Sequence, residues 1–267
     1  MQGNELLKQI KLFLFDMDGT LYLGNRLFDF TNELLSTIRE NGADYLFMTN
    51  NSSKSVLDYV KKLENLGVKA TKDDFLTSSQ ATAYYLNNNF KGANLYVCGT
   101  KSFKDELISA GFTVTENLDK VDLIVMGFDT ELTFKKLEDV SRLLLTRDIP
   151  YIATNPDLVC PTEFGSVPDC GSVSIMLKNA TGKEPLFIGK PSPLMPTLAM
   201  AKKGVSPTET AVVGDRIYTD VKSGLNAGVL SILVMSGETT KEILEASYDK
   251  PDLVLSDASE IIKALKG

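Results

Sequence analysis

The sequence predicts an α/β protein built on parallel sheets. Short apolar, β-rich runs alternate with amphipathic segments along nearly the whole chain. No low-complexity stretch, proline-rich linker or internal repeat interrupts that alternation. Several of the runs also end in small polar or acidic residues, at the edge where open α/β sheets bind ligands.

Taken in order, the runs predict strands at 12–15, 45–48, 95–98, 123–126, 151–153, 187–188, 211–213, 231–234 and 253–255. Helix signals lie between them. Phe30, Leu34, Leu35 and Ile38 share one helical face that stops at Asn41-Gly42; Val56, Leu57, Val60 and Leu63 share another that stops at Gly67.

With 267 residues, 43% hydrophobic and 24% charged, the chain suits one large or two modest domains whose core needs no disulfides. A net charge of -7 and the lack of any Lys/Arg-rich block argue against nucleic acid and anionic membrane as partners. The first residues lack the apolar core of a signal peptide and no run approaches a membrane span, so the expected location is cytoplasmic. Cys98, Cys160 and Cys170 form no Cys-x-x-Cys pair and read as small hydrophobes. The chain has no histidine, which excludes Ser-His-Asp, Cys-His and His-ligated zinc chemistry. Acid-base work falls to carboxylates or lysines.

The first chemical signal is Asp16-Met17-Asp18-Gly19-Thr20, directly after the apolar run 10–15. Strand side chains repeat every second residue, so Asp16 and Asp18 leave the strand on one side. Two neighbouring carboxylates repel unless a cation or a proton intervenes. The same residues also read as a capped turn. Read as a site, Asp16 could attack phosphorus to form an aspartyl phosphate, while Asp18 could protonate the departing oxygen and later deprotonate water. Gly19 would let the backbone approach the phosphate.

Three further strand ends supply what phosphoryl transfer needs. Thr49-Asn50-Asn51-Ser52-Ser53 offers a hydroxyl and amides for a phosphate; at Ser52 or Ser53 a helix N-cap is an equally good reading. Gly189-Lys190-Pro191 places an ammonium where it could offset charge between nucleophile and phosphate. Gly214-Asp215-Arg216, followed by Asp220, could complete an oxygen site for Mg²⁺ from the Asp16 carboxylate, the Asp18 backbone carbonyl and Asp215. Asp220 would orient these ligands or favour the start of the next helix. Asp16, Asp215 and a phosphate dianion total about -4, against about +3 from Mg²⁺ and Lys190.

These four strings, in this order, resemble the haloacid dehalogenase (HAD) superfamily of aspartate-nucleophile phosphohydrolases, and look like its NagD and 4-nitrophenylphosphatase branch. The resemblance covers essentially the whole chain. It implies a Rossmann-like core holding Mg²⁺, with Asp16 as nucleophile, Asp18 as acid-base, Gly19, Thr49, Asn50 and Lys190 on phosphate, and Asp215 on metal. Halide-removing members lack the second acid and transport ATPases have lysine after the nucleophile, so Asp18 and Met17 argue against both.

About 30 residues separate Asp18 from Thr49, but about 140 separate Thr49 from Lys190, so an insertion belongs in the second interval. The expected division is a catalytic core at 1–81 and 185–267, with an inserted α/β cap of the second type at 82–184 that selects the substrate. Asn155 and Asp157, at the end of a cap strand, are candidate substrate contacts, with turn chemistry the alternative; Ser172 reads better as a helix cap.

The leading expectation is a Mg²⁺-dependent phosphatase acting on phosphate monoesters of small metabolites such as nucleotides or sugar phosphates. A phosphotransferase or mutase would share the aspartyl phosphate, and a non-catalytic protein binding a phosphorylated metabolite is the alternative from another class. Family members often pair through their caps, which adds a homodimer to the expectations.

Overall fold

A computed structural model describes residues 2–162 and 164–267. Met1 and Glu163, which fall in the expected core and cap spans, lie outside the described residues. In chain order the strands are β1 (Leu12–Phe15), β2 (Tyr22–Leu23), β3 (Arg26–Leu27), β4 (Asp44–Thr49), β5 (Phe75–Thr77), β6 (Asn94–Cys98), β7 (Thr113–Val114) and β8 (Leu123–Met126). They continue with β9 (Tyr151–Ala153), β10 (Val159–Thr162), β11 (Gly165–Pro168), β12 (Leu186–Phe187), β13 (Thr210–Gly214), β14 (Leu230–Val234) and β15 (Leu253–Leu255).

The chain folds into two compact units, one of Met1–Thr49, Val60–Leu76 and Lys190–Gly267, the other of Asn50–Tyr59 and Thr77–Gly189. The second unit thus takes in 50–59, 77–81 and 185–189, segments that the sequence expectation left with the core. Hydrogen bonding gives the physical reason for 185–189. β12 pairs in parallel with β9 through Leu186↔Ile152 and Phe187↔Ala153, so the apolar run before Lys190 is an edge strand of the second sheet.

The first unit holds a six-stranded sheet in the order β15-β14-β13-β1-β4-β5. β1 runs parallel to both β4 and β13, with Phe15 opposite Phe47 on one side and Val213 on the other. Every residue of β1 is buried, as expected of a central strand covered on both faces. Helix Thr31–Glu40 packs against β4 and buries Leu34, Leu35 and Ile38, three of the four residues of the face read from the sequence. The chain leaves β1 towards β4 on one side and reaches β13 on the other, so strand order reverses beside β1. The carboxyl ends of β1, β4 and β13 therefore flank a crevice of the kind that binds ligands in open α/β sheets. Just beyond β1, β2 and β3 form an antiparallel hairpin.

The second unit carries a five-stranded sheet, β12-β9-β8-β6-β7, whose pairs are all parallel, and an antiparallel hairpin of β10 and β11. Its core joins Ile124, Met126, Val140, Leu143 and Cys170. Helix Ser78–Asn89 starts with a reciprocal cap in which Gln80 N–H donates to Thr77 and Gln80 accepts from the Thr77 N–H. No described helix is long and apolar enough to cross a membrane.

Candidate active site

Asp16 is the first residue past β1, and its N–H still donates to Val213 O at 2.8 Å, extending the ladder to β13. Its side chain therefore emerges at the carboxyl edge of the sheet. Lys190 reaches the same point from the start of the third segment of this unit, with a cis peptide linking it to Pro191. Its ammonium donates to Asp16 Oδ1 at 2.7 Å, to Asp220 Oδ1 at 2.6 Å and to Met48 O at 3.2 Å. Lys190 is only 2% exposed. Burial alone would lower its pKa, but the Asp16 and Asp220 carboxylates outweigh burial and hold it above the ordinary lysine value, so the charge is kept.

Asp215 follows β13 in the same way. Its Oδ2 accepts the Glu238 N–H at 2.7 Å, while its backbone carbonyl accepts the Thr239 hydroxyl at 2.5 Å. Its Oδ1 is buried and has no hydrogen-bond partner among the described residues. Burial, then the nearby Asp16 and Asp220 carboxylates, push its pKa well above the carboxylate range. Asp220 is fully buried in a π-helical turn at Ile217–Val221. Its two oxygens accept from Lys190 and, at 3.1 Å, from the Arg216 N–H. Desolvation raises the Asp220 pKa more than Lys190 lowers it. Ligand atoms of Asp16, Asp215 and Asp220 lie within 4.8 Å of one another.

Close backbone approach makes this packing feasible. Gly19 has φ +86°, and a Cβ there would sit 2.5 Å from Asp215 Oδ2; one on Gly237 would sit 2.1 Å from the same oxygen. Side chains at either position would displace the carboxylate. Asp18 stays exposed, and its Oδ1 accepts the Gly24 N–H at 3.2 Å from the turn of the β2–β3 hairpin. Partial desolvation raises its pKa against the lowering effect of that hydrogen bond and of Lys62. Thr49 ends β4 and is buried.

The first unit thus brings together Asp16, Asp18, Gly19, Thr49, Lys190, Asp215 and Asp220. The side chains of Asn50, Asn155 and Asp157 meet one another within the second unit, so the Asn50 amide expected on phosphate is instead bound to Asp157. Asn50 Nδ2 and Asn155 Nδ2 each donate to Asp157 Oδ2 at 2.8 Å, and Asn155 also donates to Asp169 at 3.2 Å. Asn155 is fully buried. This is an internal polar network, the turn-and-cap alternative of the sequence reading. The cap of helix Cys170–Thr181 is Asp169 rather than Ser172, whose hydroxyl donates to Leu158 O instead. Similarly, Ser55 and Asp58 bond reciprocally at the start of helix Val56–Asn65. Ser52 bonds Thr154 and accepts from the Phe128 N–H.

The sequence reading missed the segment 236–239. Ser236 donates to Gly19 O at 2.7 Å, and Glu238 and Thr239 hold Asp215. Its signal was present: the strand at 231–234 runs into Ser236-Gly237-Glu238-Thr239-Thr240, small and polar like the other strand ends.

A family model described as haloacid dehalogenase-like hydrolase matches residues 13–113, and a second, HAD-hydrolase-like, matches residues 187–261. The acid sugar phosphatase of Staphylococcus saprophyticus is 33% identical over 260 residues, which is 97% of this chain and 100% of that protein. The crystal structure of 4-nitrophenylphosphatase from Thermotoga maritima superposes with a TM-score of 0.93 at 41% identity, covering 97% of this chain and 99% of that one. The glycerol phosphate phosphatase of Mycobacterium tuberculosis, solved with calcium, gives 0.89 at 28% identity over 96% of this chain and 76% of its own.

Proposed function

The chain belongs to the haloacid dehalogenase superfamily, in its NagD-like phosphatase branch, and from that premise we propose that it hydrolyses phosphate monoesters of small metabolites in a Mg²⁺-dependent reaction through an aspartyl phosphate on Asp16. The observation that carries this reading is the buried Asp16–Lys190–Asp220 cluster beside Asp215.

The donor set fits a hard divalent cation. All its ligand atoms are oxygens, and Asp215 Oδ1 is a buried acceptor that no described residue satisfies. Asp220 has both oxygens committed to Lys190 and Arg216, so Asp16 and Asp215, with the Asp18 carbonyl, would hold the ion. When bound, Mg²⁺ would supply positive charge against the incoming phosphate dianion.

The chain's own groups then divide the work. Asp16 attacks phosphorus as the ester P–O bond breaks, and Asp18 gives its proton to the departing oxygen. Its raised pKa and its hydrogen bond from the hairpin turn at Gly24 suit that donor role. In the second half Asp18 takes a proton from the water that attacks the aspartyl phosphate, freeing Asp16 and inorganic phosphate. Lys190 keeps Asp16 oriented and compensates charge, and Thr49 receives the phosphate oxygens; the Gly19 amide expected there from the sequence donates to Tyr22 O at 2.7 Å, so Gly19 serves by its lack of a Cβ beside Asp215.

Substrate choice would rest with the second unit acting as the cap domain. The acid sugar phosphatases that align with nearly the whole chain support sugar phosphates as the first class to try. Asn155 and Asp157 are not carried into this proposal, because their side chains serve the second unit's own network.

The test is phosphate release from sugar phosphates, nucleoside monophosphates and 4-nitrophenyl phosphate, with Mg²⁺ and after chelation. Release that stops on chelation and returns with Mg²⁺ supports the reading. Phosphate appearing only on an added alcohol acceptor, or no release from any of them with Mg²⁺, overturns it.

A further inference from the structure

Glu238 occupies an unusual position beside Asp215. Its backbone N–H donates to Asp215 Oδ2 at 2.7 Å. Its side chain turns the other way and is held at both oxygens: Oε2 lies 2.8 Å from Arg216 Nε, and Oε1 accepts the Tyr218 hydroxyl at 3.0 Å. Arg216 and Tyr218 belong to the segment that follows Asp215 in the chain, whereas Glu238 comes from the loop after β14. One residue therefore ties two loops together on either side of the same carboxylate.

The consequence concerns how Asp215 presents its oxygens. Oδ2 is occupied by the Glu238 N–H, and Oδ1 is left buried without a described partner. A carboxylate held by a single amide can rotate unless that amide is itself fixed. The Arg216 and Tyr218 contacts fix it, with Thr239 closing the same loop on the Asp215 carbonyl. Arg216 is suited to the anchor role because its side chain is mostly buried and its guanidinium keeps its charge.

We infer that Glu238 is a positioning residue for the divalent cation: through its side-chain anchors on Arg216 and Tyr218 it locks the amide that orients Asp215, and so sets the affinity of the site for Mg²⁺. Both Glu238 carboxylate oxygens are taken by Arg216 and Tyr218, so its side chain would act on the cation only through Asp215. This inference rests on the metal-dependent reading given above. The role is separable from simple stability, since the Glu238 side chain is 39% exposed and an ion pair that solvent reaches contributes little to folding, whereas partners that orient a metal ligand act strongly on affinity.

The experiment is calorimetric titration of the metal-stripped full chain with Mg²⁺ alone, for wild type, Glu238→Ala, Glu238→Gln and Tyr218→Phe, with thermal melting of each stripped protein alongside. The Glu238→Ala protein is expected to melt near the wild-type temperature yet bind Mg²⁺ on the order of tenfold more weakly. Glu238→Gln, which keeps an acceptor for Tyr218, and Tyr218→Phe, which keeps the Arg216 contact, should fall between. If Glu238→Ala binds Mg²⁺ within twofold of wild type, or if the two milder variants lose as much affinity as the alanine, the inference is wrong. Should Glu238→Ala fail to fold, the graded losses in the two milder variants decide the matter. Wild type that binds no Mg²⁺ would overturn the metal-dependent reading itself, a result distinct from any difference among variants.

Discussion

The ammonium of Lys190 lies 2.7 Å from the carboxylate of Asp16 across 174 positions of sequence. Asp220 approaches the same ammonium at 2.6 Å, so one cation is shared by two acids in a nearly dry site. Asp220 could not be buried there without it, because an unpaired carboxylate removed from water is costly. The arrangement holds Asp16 at the sheet edge while leaving Asp215 to face the remaining charge.

Asp16→Asn tests the nucleophile. An amide retains the shape and an oxygen for Lys190, so the fold should persist. It cannot form the acyl phosphate, so steady-state phosphate release should fall by at least about 10³-fold. Near-normal rates, with deamidation excluded by mass spectrometry, would remove Asp16 from that role.

Gly214→Ala tests the packing beneath the cluster. A Cβ on Gly214 would lie 2.2 Å from Asp220 Cγ, and Asp220 is fully buried with nowhere to retreat. Overpacking of this kind costs about 1–3 kcal/mol. Because the displaced group is one of the two acids on Lys190, phosphate release should fall along with stability. Urea unfolding and the release assay check both; wild-type values in each would show that Asp220 can shift without consequence.

Most of this site was legible because its chemistry sits at strand ends. Asp16, Lys190 and Asp215 each follow an apolar run, and the type of residue at that position announced a charge that packing alone would not require. The run 187–188 was legible as a strand but not as an edge strand of the second sheet, since a short apolar run carries no record of its pairing partner. Asp220 was harder for a similar reason. Its spacing from Asp215 fits a helix start, and only its burial against Lys190 shows why an acid stands there. Glu238 was missed because its link to Asp215 runs through a backbone amide, which no side-chain pattern reports. Asn155 and Asp157 misled in the opposite sense: a polar strand end can serve its own unit as well as a ligand.

Glu106 gives a pH dependence outside the site. Burial pushes its pKa up to about 7, and its Oε2 is buried with no partner among the described residues. A folded-state pKa above the unfolded value means that the folded form gains protons first. The associated stability is present below about pH 4 and is lost as pH rises through 7. Glu106→Gln removes the ionisation while keeping the shape, so it should stabilise the protein by about 1–3 kcal/mol at pH 8 and by much less at pH 5. Denaturation curves at the two pH values decide it, and an equal effect at both would show that ionisation of Glu106 is not the cause.

Asn155→Ala separates architecture from recognition in the second unit. The Asn155 amide donates to both Asp157 and Asp169, and its Oδ1 accepts the Thr154 hydroxyl at 2.8 Å. Removing it leaves two buried carboxylates each short of a donor, a loss of about 1–3 kcal/mol. Asp169 also caps helix Cys170–Thr181, so the weakening should spread to that helix and appear as faster amide exchange there. A side chain buried this completely has no surface to offer a substrate, and KM for the best monoester should stay within about twofold of wild type. A large rise in KM with unchanged stability would reverse this assignment and place Asn155 against the leaving group.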